Sequence, residues 1–400
     1  MADTYLHGVE IVEVDTGPRT IRTAGSSVIG LIGTAPNADA SFFPLNTPVL
    51  VTSSRNESAR LGTKGTLPIA VDGIFDQTGA MMVVVRVTEG ATDADTMANI
   101  IGGIESDTGN YLGVQAFLAA KSVVGVQPRI IAAPGFTHQR PTDPNDSLRQ
   151  LANPVVAELV GIAERLRAVI VADAPNTTDS DAIAYRKDWG SARVYVVDPF
   201  VKVMRGNAIV SEPASARVAG LIAKIDNERG FWWSPSNNPI NGILGTHRAV
   251  DFALGDANAR ANLLNASEVA TIIYEDGYRL WGNRTCSSDP KWAFLSVVRT
   301  ADMIHDSLLR AHLWAVDRNI TKTYMDDVAE GVNAYLRSLT AQGAILGGKC
   351  WPDPELNTPA AVSDGKVYFN FDFTPPYPAE RISFRSHLVN DYLINILATQ

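Results

Sequence analysis

An α/β fold, α+β overall, is what this sequence predicts: a middle domain with a mainly parallel sheet, then a C-terminal part in which helices and strands segregate. Three observations carry it. Apolar runs without clean alternation, among them Met81–Val87 (MMVVVRV), Ala168–Pro175 (AVIVADAP) and Arg193–Pro199 (RVYVVDP), are interleaved with helical stretches, the pattern of a parallel sheet covered on both faces. Towards the C-terminus two long amphipathic helices follow one another, and Lys366–Phe373 (KVYFNFDF) then alternates strictly. Both ends of the chain read as apolar strands with no adjacent hairpin partner, where a domain ordinarily frays into polar residues.

Gly8–Val14 (GVEIVEV) opens the order of elements and is rich in β-branched residues, with a turn at Thr16–Arg19 after it. Ser27–Gly33 (SVIGLIG) reads as a buried strand stopped by Pro36, and Pro48–Thr52 and Met81–Val87 are strands flanking a short helix from Pro68 to Gln77. Arg129–Pro134 (RIIAAP) and the runs ending VADAP and VVDP each finish in a turn. Asn153 caps a helix over Pro154–Arg167 with proline at its first position, and Pro213–Glu228 opens on a proline too. After an aromatic loop from Phe231 come helices over Thr300–Asp317 and Thr323–Thr340, whose Met303, Ile304, Leu308 and Val328, Val332, Tyr335, Leu336, Leu339 recur at helical spacing. Val367, Phe369, Phe371 and Phe373 share one face of the alternating strand. Arg381–Phe384 and the terminal Tyr392–Ala398 (YLINILA) read as the last strands.

The 400 residues, at about 150 per domain, predict two or three domains. No apolar run approaches the roughly 20 residues of a membrane helix, and MADTYLHGVEIVEV lacks a basic segment followed by an apolar one, so folding in a cytoplasm is expected. A net charge of −9 with scattered Lys and Arg argues against nucleic acid as a partner. Cys286 and Cys350 have no CxxC spacing and read as buried thiols.

An enzyme reading rests on Asp173 and Asp198, at strand ends where doubly wound enzymes place their sites. It finds no GxGxxG after a strand, no GxSxG and no HExxH, and an aspartate shortly before proline is an ordinary turn residue. Gly343–Cys350 (GAILGGKC) has Walker spacing with Cys in place of Ser or Thr, and Pro352 and Pro354 forbid the following helix, so these glycines end a helix and start a strand. His305 and His312 stand seven apart on a helix, the wrong spacing for a shared metal, and Asp143–Asp146 lacks the glycine and glutamate of a calcium loop. Neither a cofactor nor a metal is expected. Phe231, Trp232 and Trp233 read as an aromatic structural corner.

The stretch from Phe231 onward resembles the contractile tail sheath family of bacteriophages and R-type pyocins. The resemblance is carried by WWSPSNNPINGI (Trp232–Ile243), LLNASEVATIIYEDGYRLWGNRT (Leu263–Thr285), RTADMIHDSLLRAHLWAVDRNIT (Arg299–Thr321) and VNAYLRSLTAQGAILGGKCWPDPELNT (Val332–Thr358), with HGVEIVEVD and SSVIGLIGTAP similar to the family's opening. It implies a structural subunit that stacks in hexameric rings around a tail tube and contracts to drive the tube through a bacterial envelope. The implied partners are copies of itself, the tube protein, and baseplate and tail terminator proteins. The implied places are the host cytoplasm during assembly and the tail of a virion or pyocin-like particle thereafter.

On this basis residues 1–22 and 386–400 are expected to be donor arms, 23–245 an outer α/β domain with an insertion at about 90–128, and 246–385 an inner domain facing the tube. Val9, Ile11, Val12, Val14 and Tyr392, Ile394, Ile396, Leu397 are expected to donate strands to neighbouring subunits, and Val367, Phe369, Phe371 and Phe373 to accept one. Arg318, Lys322 and Asp326 are expected to touch the tube. The competing expectations are an α/β hydrolase or dehydrogenase-like enzyme and a static tube or shell subunit.

Overall fold

The computed structural model describes residues 21–393; the Gly8–Val14 stretch and the residues from Ile394 onward lie outside the described residues. Six strands build the main sheet: β1 Ile29–Thr34, β2 Pro48–Thr52, β3 Met81–Val87, β4 Ile130–Ala132, β5 Val169–Asp173 and β6 Val194–Val197. Their spatial order is β6-β5-β4-β1-β3-β2, all parallel except β2, which runs antiparallel to β3 at the edge.

Successive side chains on a strand point to opposite faces, so a strand with helices on both sides must be apolar at every position. Ile29, Leu31, Met82, Val84, Val169 and Val171 enter one core, and Ile32, Val83, Val85, Ile170 and Ala172 the other. Helix α1 (Thr66–Phe75) and helix α3 (Ser215–Glu228) close the first face with Leu67, Val71, Ile74, Val218, Leu221 and Ile225. Helix α2 (Pro154–Leu166) closes the second with Val155, Leu159 and Ile162. Gly65, leading into α1, has φ 93°, and a Cβ there would stand 2.3 Å from the Thr34 carbonyl oxygen, so only glycine fits.

The start of α2 follows from its sequence. Asn153 Oδ1 accepts from the Val156 N–H at 3.0 Å, and its Nδ2 donates to the Phe136 and Gln139 carbonyls at 3.0 and 2.9 Å. Replacing Asn153 by Ala removes the cap and leaves two inward carbonyls without their donor. Chemical denaturation should register a loss of about 2 kcal/mol, and an unchanged midpoint would refute the assignment.

Residues Leu264, Val269, Ile272, Leu280 and Cys286 are buried in the two α/β cores. The chain stays with this body into the start of the next helix, where Leu295 and Val298 still enter the first core. Ile100, Val114 and Phe117 belong to the second core as well, so the segment around 90–128 is built into the body.

A third core lies beyond. It takes Met303 and Ile304 from α4 (Leu295–Ala311), Val332, Tyr335, Leu336 and Leu339 from α5 (Lys322–Ala341), and Phe231 with Ile345 and Cys350. Above them lies a hairpin of β7 (Gly347–Pro352) and β8 (Phe369–Thr374). The glycines of GAILGGKC do what the sequence predicts: α5 ends at Ala341, Gly343 has φ 75°, and β7 follows.

One face of α4 is polar and buried. Arg299 clasps Asp226 of α3 at 2.5 Å through both guanidinium nitrogens, Asp302 pairs with Arg193 ahead of β6, and Asp306 pairs with Arg129 ahead of β4 at 2.5 Å. Spacings of three and four put these residues on one stripe. The helix is thereby keyed to the sheet body by charge and by Leu295 and Val298, while Met303, Ile304 and Leu308 further along serve the third core.

Four expectations shift. The first long helix begins at Leu295 and stops at Ala311, with a 3-10 turn at Leu313–Ala315 in place of its last turn. Val367 precedes β8 without joining it, because the Tyr368 N–H is taken by Asn357 Oδ1 at 2.8 Å. Arg381–Phe384 is exposed and forms no strand, since a strand needs a ladder partner and the described chain offers none. Tyr392 sits in a 3-10 turn over Asp391–Leu393, with its ring exposed.

Candidate assembly site

The hairpin is where sequence and geometry converge. Phe369, Phe371 and Phe373 are half-buried against the third core, and Asn370 and Asp372 face out, as the alternation predicts. His305 of α4 meets Phe371 and Phe373 edge-on at 5.8 and 6.3 Å between ring centres. A two-stranded sheet has two outer edges, and here they differ.

Cys350 of β7 is paired in register with Phe371 of β8. Its backbone N–H and C=O are both held by the side chain of Asn333 on α5, at 2.8 and 3.0 Å, so they point away from β8. A residue pair whose backbone groups turn outward on one strand turns them outward on the other as well. The N–H and C=O groups of Phe371, and by the two-residue period those of Phe369 and Phe373, therefore face the outer edge of β8. One edge is closed by a side chain; the other is open among the described residues.

The expected tube residues occupy the surface beside α5. Lys322 and Asp326 are exposed on its first turns, four positions apart. Arg318, in the preceding loop, is also exposed; its Nε donates to the Trp314 carbonyl at 3.0 Å and its guanidinium lies over the Trp314 ring. The three are exposed and close in sequence. Of the expected strand donors, Val9, Ile11, Val12, Val14, Ile394, Ile396 and Leu397 lie outside the described residues.

The strand-end aspartates are buried and engaged. Asp173 Oδ1 accepts from the Ser215 N–H at 2.9 Å and Oδ2 from its hydroxyl at 2.5 Å, so this carboxylate occupies the N-terminus of α3, where a phosphate would otherwise be held. Burial pushes its pKa up to about 6. Asp198 accepts from Arg248 at 2.5 Å and from the Asn176 N–H at 3.3 Å; burial raises its pKa against the pull of Arg248. His312 Nδ1 lies 2.7 Å from the Leu308 carbonyl oxygen. No group of three or more His, Cys, Asp or Glu is arranged to hold a metal among the described residues. Phe231 is buried in the third core edge-on to Trp232 at 5.0 Å, and Trp233 lies exposed beneath Arg229. Cys286 is buried, and its thiol is pushed up to about 12.

Two features escape sequence reading. Asn333 looks like any polar residue on a helix, and only the strand beside it gives it a partner. The charges at 299, 302 and 306 do carry a signal, their spacing of three and four, which ordinarily marks a solvated face.

Known proteins locate this architecture. Residues 26–87 match a family model for the tail sheath protein Gp18 domain III N-terminal region, residues 105–286 the phage tail sheath protein central domain, and residues 287–388 the phage tail sheath C-terminal domain. The chain is 45% identical over 397 residues to a protein described as a prophage major tail sheath protein in Pseudomonas aeruginosa (strain UCBPP-PA14), covering 98% of this chain and 99% of the relative. It is 37% identical over 406 residues to the tail sheath protein of Escherichia phage P2, covering 99% and 98%. Its fold is similar to that of the helical sheath of the anti-feeding prophage in the contracted state, with a TM-score of 0.70, 21% identity, and 97% of this chain and 100% of that chain covered. With matches at this level along nearly its whole length, the chain belongs to the phage tail sheath protein family.

Proposed function

We propose that this chain is the structural subunit of a contractile tail sheath, polymerising as stacked hexameric rings around a tail tube and contracting to drive the tube through a bacterial envelope. The observation that carries the reading is the asymmetric hairpin: Asn333 closes the β7 edge, and the β8 edge offers the backbone of Phe369, Phe371 and Phe373. An open edge beside a row of half-buried phenylalanines is a template for an incoming strand. The donors are Val9, Ile11, Val12 and Val14 of an arm over residues 1–22, and Tyr392, Ile394, Ile396 and Leu397 of an arm over 386–400.

Burying Tyr392, Ile394, Ile396 and Leu397 yields about 6–12 kcal/mol gross. Ordering such an arm costs about 1–2 kcal/mol per residue, so the two nearly cancel and docking becomes cooperative with assembly. The energy for contraction is the difference between two packings of the same subunits, with no nucleotide required. Arg318, Lys322 and Asp326 face the tube protein. Baseplate and terminator proteins bound the polymer, which assembles in the host cytoplasm and serves in the tail of a virion or pyocin-like particle.

Negative-stain microscopy of the full chain beside one ending at Asp391 tests this. The full chain should form long tubes of two distinct diameters, and the truncated chain should form none. A single diameter favours a static tube or shell subunit. A compact particle indifferent to the truncation favours an α/β enzyme.

A further inference from the structure

Beside β8 an open groove of about 580 Å³ is lined by Leu308, Leu309, Leu313, Val316, Phe371 and Arg167. Leu309, Leu313 and Val316 are 62%, 77% and 62% exposed, a contiguous apolar strip at the end of α4. Its histidines, His305 and His312, complete the lining, and no carboxylate contributes to it. His305 is held below its ordinary range by burial and by the nearby Arg167 guanidinium.

Arg167 stands out twice. It ends α2 in the left-handed conformation, φ 49° and ψ 49°, a position that glycine or asparagine fills more easily. Its guanidinium lines the apolar groove close enough to Asp302 to feel that carboxylate, which is itself paired with Arg193. A guanidinium that shares its carboxylate with a second arginine keeps donors for a further anion.

One segment of this chain fits. Val9–Asp15 (VEIVEVD) interleaves four β-branched residues with Glu10, Glu13 and Asp15, matching an apolar strip that carries a cation. The C-terminal arm is matched worse: over 386–400 Asp391 is its one acidic side chain, against three in Val9–Asp15. The described chain begins at Ile21, which packs on the same third core as Leu308 and Phe371. Residues 16–20 span at most about 17 Å, which bounds how far Val9–Asp15 can begin from that core.

We infer that, in the unassembled subunit, the chain's own Val9–Asp15 segment docks in the groove, with its carboxylates on Arg167, and withholds the arm from other copies until assembly displaces it. This rests on the arm being an assembly strand, as proposed above, and adds how that arm is regulated. A short tether gives an effective concentration on the order of millimolar, so at micromolar subunit the intramolecular contact wins. In the growing polymer, neighbouring surfaces reverse the competition.

Val12→Cys with Leu313→Cys, in the full chain, tests it under glutathione disulfide; the native Cys286 and Cys350 are buried and stay out of the reaction. The expected product is an intrachain disulfide whose yield is unchanged by dilution. Arg167→Glu should lower that yield by about fivefold or more and let tubes nucleate at lower concentration, and Glu10→Arg with Glu13→Arg on that background should restore both. Interchain dimers whose yield falls with dilution, or no disulfide at all, overturns the inference. Deleting residues 1–20 separates the two readings. If tubes survive the deletion, the arm's role in assembly fails; if they are lost while the intrachain disulfide never forms, only self-docking fails.

Discussion

Replacing Arg299 by Ala should cost about 3–5 kcal/mol of stability, because it leaves Asp226 buried and charged with no counter-ion. The side chains are 4% and 1% exposed and exchange two bonds of 2.5 Å, and Arg299 also donates to the Ser26 carbonyl at 3.0 Å. Most of that loss is the penalty of the abandoned carboxylate and only a small part is the net worth of the pair. Arg299→Met combined with Asp226→Leu should therefore recover much of it. Denaturation midpoints of the wild type, the single variant and the double variant measure both statements. A double variant as unstable as the single one would show that the pair's geometry, and not its charge balance, holds α4 to α3.

Asp173→Asn should act in the opposite direction, stabilising the chain at neutral pH. Burial lifts the folded pKa from 3.8 to about 6, so between those values the folded chain keeps a proton that the unfolded chain has released. Stability then falls as pH rises through this window, and at pH 7 the deficit is about 3 kcal/mol. Asparagine keeps an acceptor for the Ser215 N–H without the buried charge. The variant should exceed the wild type at pH 7.5 and converge on it near pH 4. Asp198 is shifted upward as well but is common to both chains, so the difference between them isolates Asp173. A difference that does not change with pH would refute the burial of an ionised carboxylate here.

Much of this architecture is legible because it is written in local chemistry. Strands β2 and β3 are bounded where their apolar runs are bounded, α2 starts where Asn153 and Pro154 say it must, and the alternation after Tyr368 sets the faces of β8. What escapes depends on partners distant in sequence. Asp226 and Arg299 lie 73 residues apart, and nothing local to either announces the other. The packing of 246–286 with the α/β body is hidden for the same reason: its buried residues find the sheet only in three dimensions. The phenylalanines of the candidate site could be read from the sequence. The choice of edge could not, because it turns on which way one cysteine's backbone faces.

Asn333 spends both ends of its amide on a single residue of β7. A sheet closed on one side can widen only from the other, like a queue with one open end. If arms add to this sheet as proposed, two of them cannot take opposite flanks independently: the second must lie against the first. Occupancy would then be ordered, and whatever dislodges the inner guest would dislodge the outer one with it.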